Sequence, residues 1–442
     1  MSSFQSWLPV ALPAHARRVR VDDPDLMALL AAAGAEVVEC GPDVEIASRI
    51  VDLRHDAPHV ILSMGSNQPE GGGRLVRARR RAAASVKVRT AARAARKRLR
   101  SLGYRGVRVI PWDFDQPVQL PGGGVHRRRI VEFLPERAVV CAHRESSDET
   151  LLDAVVAQVS QAIGQPVRYQ WPLMRAGILV IVADSCVIRI AVGPAGQRLL
   201  VQRDVIERLS RADDIIVERL PWPVHIGRVG LGDWSVEAHL DGAPVAGEIP
   251  TGLLWECMEF LAALHHVEAQ GAHRSLADDA RRCATICPTQ RHGHDLIALG
   301  EDLDRLLLDV PRGFGHGDFW TGNLLCENGR LNGVIDWDGG GPGRLPLLDL
   351  IHLQVSSYRD GRHVPLGNAI IASQLAVARA GGDEVTRAYC RRVGLDPDAR
   401  ILEALVLAFW IDRTVLELDL RPDTITPAWV DANVVTVLDH LR

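Results

Sequence analysis

Long apolar runs are missing from this chain of 442 residues. Its most apolar stretch, residues 404–411, is far shorter than the roughly 20 residues that a helix needs to cross a bilayer. We therefore expect no membrane span and interpret this stretch as part of a buried helix. The N-terminus has no basic segment ahead of its brief apolar stretch, so we expect no secretory signal and a cytoplasmic location.

Neither a large excess of one charge nor a regular cysteine framework is present. The 51 Lys and Arg residues are offset by 55 Asp and Glu residues, and the formal net charge of −4 argues against a whole-chain nucleic-acid binder. The eight cysteines follow no regular spacing, which is typical of reduced thiols in a cytoplasmic protein. Arginine far outnumbers lysine and alanine is abundant, a composition that we interpret as bacterial.

One local segment departs from this balance of charge. Residues 74–100 predict a long helix that carries twelve Lys and Arg residues and no acidic residue. An anionic partner such as nucleic acid would suit this helix, and so would simple solvation of one face of an alanine-rich helix. Because the helix has no aromatic side chains that could stack on bases, we favour the solvated face and do not expect nucleic acid as a partner.

The first third of the chain alternates between strand and helix patterns, which favours a parallel sheet covered by helices. No G-x-G-x-x-G fingerprint follows the first strand. We therefore interpret residues 1–140 as a small α/β domain of unknown role, a degenerate Rossmann-like fold without a working cofactor site. The predicted strands are residues 18–21, 36–39, 60–64 and 107–111, and the predicted helices are residues 25–33, 74–102 and 150–163.

A motif in the last third of the chain indicates phosphoryl-transfer chemistry. It reads His316-Gly-Asp318, with Asn323 five residues after the aspartate and Asp336 thirteen residues after the asparagine. Phosphoryl transfer from ATP needs a carboxylate that orients the acceptor hydroxyl, an amide oxygen that holds a metal ion, and a second carboxylate for the metals on the phosphates. The spacing predicts a loop, a tight turn and a strand over residues 331–335, which brings the last aspartate beside the first.

This paired motif resembles that of the aminoglycoside phosphotransferase and choline kinase family, over residues 165–430 or so. The resemblance implies an α+β, protein-kinase-like two-lobed fold. A small β-rich N-lobe would occupy residues 150–242 and a helical C-lobe residues 243–442, both preceded by the α/β Rossmann-like domain. ATP or GTP and Mg²⁺ are the cofactors that the resemblance implies.

The same resemblance assigns roles to the four residues of the motif. It implies that Asp318 is the catalytic base and that His316 holds the catalytic loop in shape. It also implies that Asn323 and Asp336 are the magnesium ligands.

Four further residues are implied to bind the nucleotide. Arg189 stands in the third strand, where the family normally has a lysine that reaches the phosphates; a guanidinium keeps the charge and can bind phosphate bidentately. A surface charge on an edge strand is the alternative for this arginine. Asp204 is the expected acidic partner of Arg189, with Glu207 as the other candidate, and the backbone of Glu237 and Ala238 is expected to bind the adenine.

Other polar residues of this region have structural interpretations. His265 ends an amphipathic helix over residues 253–266 and is expected to be a hydrogen-bonded structural residue. Asp349, in a Pro-x-x-Asp-Leu element, is expected to hydrogen-bond the catalytic loop.

The residues between these elements include four that invite a zinc interpretation. Structural zinc sites usually space their histidine pair by three to five residues, so a one-residue spacing fits poorly. We therefore interpret residues 267–295 as a mobile, polar insertion. The four residues are Cys283, Cys287, His292 and His294.

The sequence therefore predicts an ATP-dependent phosphotransferase that acts on the hydroxyl of a small molecule of the aminoglycoside, sugar or amino-alcohol type. Two alternatives stay open, a catalytically impaired pseudokinase that acts as a nucleotide-binding scaffold, and a bifunctional protein with a methyltransferase-like N-terminal domain. The retained motif argues against the first, and the missing glycine fingerprint argues against the second. The oligomeric state is left open.

Overall fold

The computed structural model of the chain describes residues 8–39, 42–47, 57, 59–65, 90–112, 137–143, 149–169, 173–175, 177–267, 271, 274–360, 362, 364–420 and 424–442. The chain divides into two compact units, an N-terminal unit of residues 2–200 and 223–239 and a C-terminal unit of residues 201–222 and 240–442. The α+β class is confirmed, because both helices and sheets contribute to the fold.

A six-stranded mixed sheet in the N-terminal unit consists of β1 (Arg18–Val21), β2 (Glu36–Val37), β3 (Val44–Ala47), β4 (His59–Gly65), β5 (Arg105–Trp112) and β6 (Arg137–His143). The strands lie in the order β2-β1-β3-β4-β6-β5. The pairs among β1, β2, β3 and β4 are parallel, whereas β6 is antiparallel to β4 and β5. The expectation of a parallel sheet is therefore wrong at one edge. There β6, a strand that the sequence pattern did not predict, lies between β4 and β5.

Four helices accompany this sheet: α1 (Leu8–Ala11), α2 (Pro24–Ala32), α3 (residues 90–101) and α4 (Leu151–Ala162). Local sequence explains two of their starts. The Asp23 side chain accepts hydrogen bonds from the first backbone N–H groups of α2, and Thr150 forms a reciprocal capping box with Asp153 at the start of α4.

Helix α3 contains the described part of the predicted basic helix. Its residues Ala92, Ala95 and Leu99 are buried, while its basic side chains are exposed. This pattern is that of a helix with one apolar face against the protein and one charged face in water. Residues 74–89 of the predicted helix lie outside the described residues.

A second sheet of the N-terminal unit is antiparallel and consists of β7 (Leu173–Arg175), β8 (Ile178–Val182), β9 (Cys186–Val192), β10 (Val224–Val229) and β11 (Gly232–Ala238). Its strand order is β10-β11-β9-β8-β7. Gly177, which has a positive φ of 84°, lies between β7 and β8. This sheet has the small, β-rich composition that was predicted for the N-lobe.

The two sheets of the N-terminal unit share one hydrophobic core. A single cluster of buried side chains includes Leu12 and Leu30 from the first residues of the chain, Leu152 from α4, and Ile188 and Trp234 from β9 and β11. Residues 2–140 and 150–200 therefore belong to the same compact unit. This unit ends after residue 239, and the predicted lobe boundary was residue 242.

The C-terminal unit is mainly helical. Its longest described helix, α14, buries all eight residues of the apolar stretch 404–411, as predicted. No described helix is long and apolar enough to cross a membrane. The helices are α5 (Gly196–Leu209, which contains the unit boundary), α6 (Asp214–Val217), α7 (Thr251–His265), α8 (Leu276–Ala284), α9 (Gln290–Leu306), α10 (Leu348–Arg359), α11 (Leu366–Ala369), α12 (Ala376–Arg379), α13 (Glu384–Arg392), α14 (Ala399–Leu420), α15 (Pro427–Val430) and α16 (Thr436–Leu441), with π-helical turns at Ile370–Leu375 and Asp431–Val435.

Helices α8 and α9 contradict the expectation of a mobile, polar insertion at residues 267–295. Each helix has a side-chain cap, from Ser275 and Thr289, and the Asp304 carboxylate accepts from the backbone N–H groups of Leu276 and Ala277. The polar residues of this segment thus satisfy helix ends, a pattern that the sequence alone does not distinguish from a loop.

The polar residues of the motif lie next to the ends of short strands. β12 (Ala243–Pro244), β14 (Leu324–Glu327) and β15 (Arg330–Val334) form one small sheet, and β13 (Gly313–Gly315) pairs with β16 (Gly341–Arg344). β14 and β15 form a hairpin whose turn is Asn328-Gly329, both with positive φ. Asn-Gly favours this turn because both residues tolerate the left-handed region.

Candidate active site

The catalytic loop begins where β13 ends, and His316 fixes its shape. The His316 side chain is fully buried. Its Nδ1 accepts a hydrogen bond from the Asp318 backbone N–H at 3.2 Å, so its Nε2 carries the proton that is donated to the Ile335 carbonyl at 3.0 Å. One imidazole thereby ties the loop to the end of β15, in keeping with the role that the sequence implied.

Asp349 holds the same loop from the first turn of α10. Its two carboxylate oxygens accept the backbone N–H groups of His316 at 2.7 Å and of Gly317 at 2.9 Å. Charge-assisted bonds of this kind are stronger than neutral ones. The prediction that Asp349 hydrogen-bonds the catalytic loop is confirmed.

Gly317 is required by the backbone of the loop. Its φ is +79°, and a Cβ atom at this position would lie 2.2 Å from the Gly339 carbonyl oxygen. A larger residue would therefore push apart the catalytic loop and the segment that follows Asp336.

Aromatic side chains hold the base of the loop in the core. Phe319 and Trp337 are fully buried. Phe319 stacks on Phe260 of α7 with 5.9 Å between ring centroids, and the Trp337 ring lies 4.4 Å from that of His316. The loop residues that flank the polar groups are thus anchored by packing, which limits the motion of the carboxylates.

Asp318 and Asn323 form a hydrogen-bonded pair. The Asn323 Nδ2 donates to the Asp318 carbonyl at 2.9 Å and to its Oδ2 at 3.2 Å. This orientation turns the Asn323 Oδ1 away from the pair, where it is buried without a hydrogen-bond partner. A buried acceptor of this kind costs free energy unless a ligand satisfies it, and an amide oxygen is a suitable ligand for Mg²⁺.

The β14–β15 hairpin brings Asp336 to the same end as Asn323. Leu324 pairs with Val334 across the hairpin, and the Ile335 N–H donates to the Asn323 carbonyl at 3.0 Å. Asp336 itself has φ 63° and ψ 60°, a left-handed conformation that is uncommon outside glycine. The sequence prediction of a turn and a strand that carry this aspartate back to the loop agrees with this hairpin.

Arg189 and Glu237 form a buried ion pair in the N-terminal unit. The Arg189 Nε and Nη2 donate to the Glu237 Oε1 at 3.2 and 2.9 Å, and both side chains are less than a tenth exposed. Arg189 pairs with Ser235 in the β9–β11 register, two residues before Glu237. The sequence interpretation considered only the backbone of Glu237 and did not anticipate this contact of its carboxylate.

Asp204 and Ala238 have different surroundings. Asp204 is exposed on α5 and accepts from the Arg203 guanidinium at 2.5 and 2.9 Å. Ala238 ends β11, paired with Cys186 of β9. The predicted pairing of Arg189 with Asp204, and the predicted adenine contacts of residues 237 and 238, stay predictions.

Sequence reasoning missed two residues that lie beside Asp318. Arg413 of α14 donates from Nη2 to the Asp318 Oδ1 at 3.0 Å and from Nη1 to the Gly317 carbonyl at 3.1 Å. The His352 Nδ1 of α10 lies 3.9 Å from the same Oδ1. One signal in the sequence was the position of Arg413 within a largely apolar helix. A charged side chain that is buried in this way usually has a partner.

The imidazole of His352 is neutral at ordinary pH. Burial lowers its pKa well below 6.5, and the charge of Arg413 lowers it further. Its Nδ1 is buried and has no hydrogen-bond partner.

A zinc site at the cysteine and histidine motif receives no support. Cys283 and Cys287 are free thiols, and burial raises the pKa of Cys283 to about 12. Within the described part of the chain, no group of three or more His, Cys, Asp and Glu side chains could hold a metal. A magnesium site of one amide and one carboxylate does not need such a group, since phosphates and water complete its coordination.

His265 is buried against the loop that precedes the active site. A Cβ at Gly313 would lie 2.3 Å from its ring, and its ring centroid is 6.5 Å from that of Tyr389. Burial, and then the neighbouring His266, lower the pKa of His265 to about 4. The His265 side chain thus contributes to packing, whereas the hydrogen bond that the sequence interpretation gave it stays a prediction.

We expect the free energy of unfolding to fall as the pH drops from about 6.5 toward 4. In this range His265 binds a proton in the unfolded state but not in the folded state. Because the pKa of His265 is lower in the folded state, its contribution to the free energy of unfolding is fully present above pH 6.5. This contribution is at most about 3 kcal/mol. Replacing His265 with Gln should flatten the pH dependence of urea unfolding in this window. His225→Gln, at an exposed position, is the control. Equal slopes in all three proteins would contradict the assignment.

Comparison with known proteins shows what part of the chain is similar to. The sequence model of the phosphotransferase enzyme family matches residues 202–389. No curated protein sequence matches the chain.

Solved structures of aminoglycoside phosphotransferases are also similar to the chain. The apo form of a thermostable mutant of APH(4)-Ia has 17% identity and a TM-score of 0.42, over 64% of this chain and 98% of that one. ADP-bound APH(2'')-Ib has 13% identity and a TM-score of 0.43, over 65% and 97%. The streptomycin–ATP complex of APH(2'')-IIa has 12% identity and a TM-score of 0.42, over 64% and 97%.

Proposed function

We propose that the protein transfers the γ-phosphate of ATP to a hydroxyl group of a small molecule, a proposal supported by the match of residues 202–389 to the sequence model of the phosphotransferase enzyme family. The observation that carries the proposal is the arrangement of Asp318 and Asn323. One side of the Asn323 amide fixes the aspartate, and the other presents a buried oxygen that lacks a partner.

In the proposed reaction, Asp318 orients the acceptor hydroxyl and accepts its proton as the new O–P bond forms. The bond between the γ-phosphorus and the bridging oxygen breaks at the same time, and ADP leaves. His316 and Asp349 keep the loop rigid, so the carboxylate meets the hydroxyl in a fixed direction. Asn323 and Asp336 would hold Mg²⁺, which would supply positive charge against the phosphates. Positioning and electrostatics supply most of the acceleration in phosphoryl transfer.

The N-terminal unit supplies the proposed nucleotide contacts. Arg189 is the candidate for the phosphates, with Asp204 as a supporting acid. Because the Glu237 carboxylate already binds Arg189, the adenine contact is assigned to the backbone of Glu237 and Ala238. These assignments depend on the resemblance and are tested together with nucleotide binding.

The proposal predicts magnesium-dependent binding of ATP that is lost on replacing Asp336 with Asn. A ligand at 100 times its Kd stabilises the folded protein by about 2.7 kcal/mol, which raises the unfolding temperature by several degrees. Asparagine tolerates the left-handed conformation of Asp336, so this variant removes the charge without adding backbone strain. The measurement is thermal unfolding with ATP or GTP, with and without Mg²⁺.

Asp278→Asn is the matched control, because it removes a carboxylate from the exposed surface of α8. It should retain the full magnesium-dependent shift. A wild-type protein that gives no shift with either nucleotide would overturn the proposed function. An equal shift in Asp336→Asn would remove Asp336 from the metal site.

A further inference from the structure

A small pocket lies beside Asp318 within the C-terminal unit. We name it the Arg413 pocket, and it is lined by Gly317, Leu348, His352, Phe409, Asp412 and Arg413. Arg413 lies beyond residue 389, where the family match ends.

The three carboxylates at or beside the Arg413 pocket already have hydrogen-bond or ion-pair partners. Asp318 accepts from Arg413 at 3.0 Å, and Asp349 accepts two backbone N–H groups. Asp412 lies 3.4 Å from a nitrogen of Arg274 and 3.8 Å from one of Arg344. A polycation such as an aminoglycoside would therefore compete with arginines for Asp318 and Asp412.

Arg413, by contrast, has capacity for an additional anion. A guanidinium has five N–H donors, and the two bonds to Asp318 and Gly317 use two of them. The Arg413 side chain is only 13% exposed, so it gains much from a charged partner. A second arginine, Arg359, lies close enough to lower the pKa of His352 together with Arg413.

His352 provides an independent indication of a ligand. Its Nδ1 is buried, has no hydrogen-bond partner and lies 3.9 Å from the Asp318 Oδ1. His352 and Arg413 line the same pocket, so an oxygen placed in it would lie beside both side chains.

We propose that the Arg413 pocket, which has room for one water-sized group, receives an oxygen of an oxyanion of the acceptor, a carboxylate or a phosphate, so that the substrate is a hydroxylated anion. The acceptor hydroxyl lies on Asp318, its anionic group binds Arg413, and a polar atom of it hydrogen-bonds His352. This inference rests on the proposed function, since it names the acceptor of the same site.

The first test is titration of the full-length protein, with and without MgADP, with malonate, inorganic phosphate and putrescine, by calorimetry. We expect malonate and phosphate to bind and putrescine not to bind. Arg413→Met should weaken oxyanion binding by roughly 30-fold or more, the loss expected for removal of one partner of a mostly buried charge pair. Arg413→Lys, which keeps the charge but not the planar fork, should retain part of it.

The second test compares acceptors of one shape and different charge: glucose, glucuronate, glucose 6-phosphate and glucosamine. We expect glucuronate and glucose 6-phosphate to be better inhibitors or substrates than glucose and glucosamine. In Arg413→Met, the KM values of the two anions should rise to that of glucose, so that their advantage is lost. Arg282→Met, which removes an exposed arginine of α8, should change none of these values. If Arg413→Met does not fold, the same comparison of the four acceptors is made with Arg413→Lys, which should lose part of the preference for the anions.

Three results would overturn the proposal. The first is oxyanion affinity that is absent or that is equal in the wild type and Arg413→Met. The second is preferred binding of putrescine. The third is binding of phosphate but not malonate, and only with MgADP, which would assign Arg413 to the transferred phosphoryl group. Because the titration without nucleotide does not depend on ATP binding, failure of the proposed function is recognised separately.

Discussion

Replacing Asp318 with Asn is expected to lower kcat by about 10²- to 10⁴-fold while the Kd for ATP changes little. The amide cannot take the proton of the acceptor hydroxyl, whereas its oxygen can still accept a hydrogen bond from Arg413 or Asn323. The isosteric change therefore preserves most of the local contacts that Asp318 makes at 3.0 and 3.2 Å. ADP release at saturating ATP and acceptor measures kcat, and titration with ATP measures Kd.

The same Asp278→Asn variant serves as the control, because it removes one exposed carboxylate of the same unit and should keep normal turnover. An Asp318→Asn protein with wild-type kcat would exclude Asp318 as the base. A parallel loss of ATP affinity would instead indicate that the variant disturbs the metal site through Asn323.

Replacing Arg189 with Met, or Glu237 with Leu, is expected to lower the free energy of unfolding of the N-terminal unit by about 3–5 kcal/mol. Each single change leaves one charge of the pair buried, and the Glu237 side chain is only 2% exposed. The double variant should recover most of this loss, because two apolar side chains of similar volume can replace a buried pair at little cost.

Urea unfolding of the two single variants and the double variant gives the coupling between the charges. The exposed pair of Arg281 and Asp278, changed in the same way, should cost at most about 1 kcal/mol. If Arg189→Met lost ATP affinity but no stability, the guanidinium would serve the phosphates and not the Glu237 carboxylate.

The catalytic loop was predictable from sequence because its constraints are local. The twelve residues between Asn323 and Asp336 fit one hairpin, and the Asn-Gly turn fixes its register. The stretch 404–411 was recognised as a buried helix because its apolar run is continuous.

Contacts between distant segments were not predictable in the same way. Arg413 reaches Asp318 across 95 residues, and Glu237 pairs with Arg189 across 48. Strand β6 pairs with β4 and β5 in a direction that no local pattern encodes. Helices α8 and α9 were misread because their capping residues, Ser275 and Thr289, are also typical of loops.

The common core of the N-terminal unit also bears on how this chain could have arisen. Leu12 and Leu30 lie in the same apolar cluster as Ile188 and Trp234, so the first segment closes the interior of the sheet that follows it. A recombination event that exchanged residues 1–140 for another domain would leave that interior open to water. The two segments share one buried interior, so a productive gene fusion at their junction would have to rebuild both sides of it.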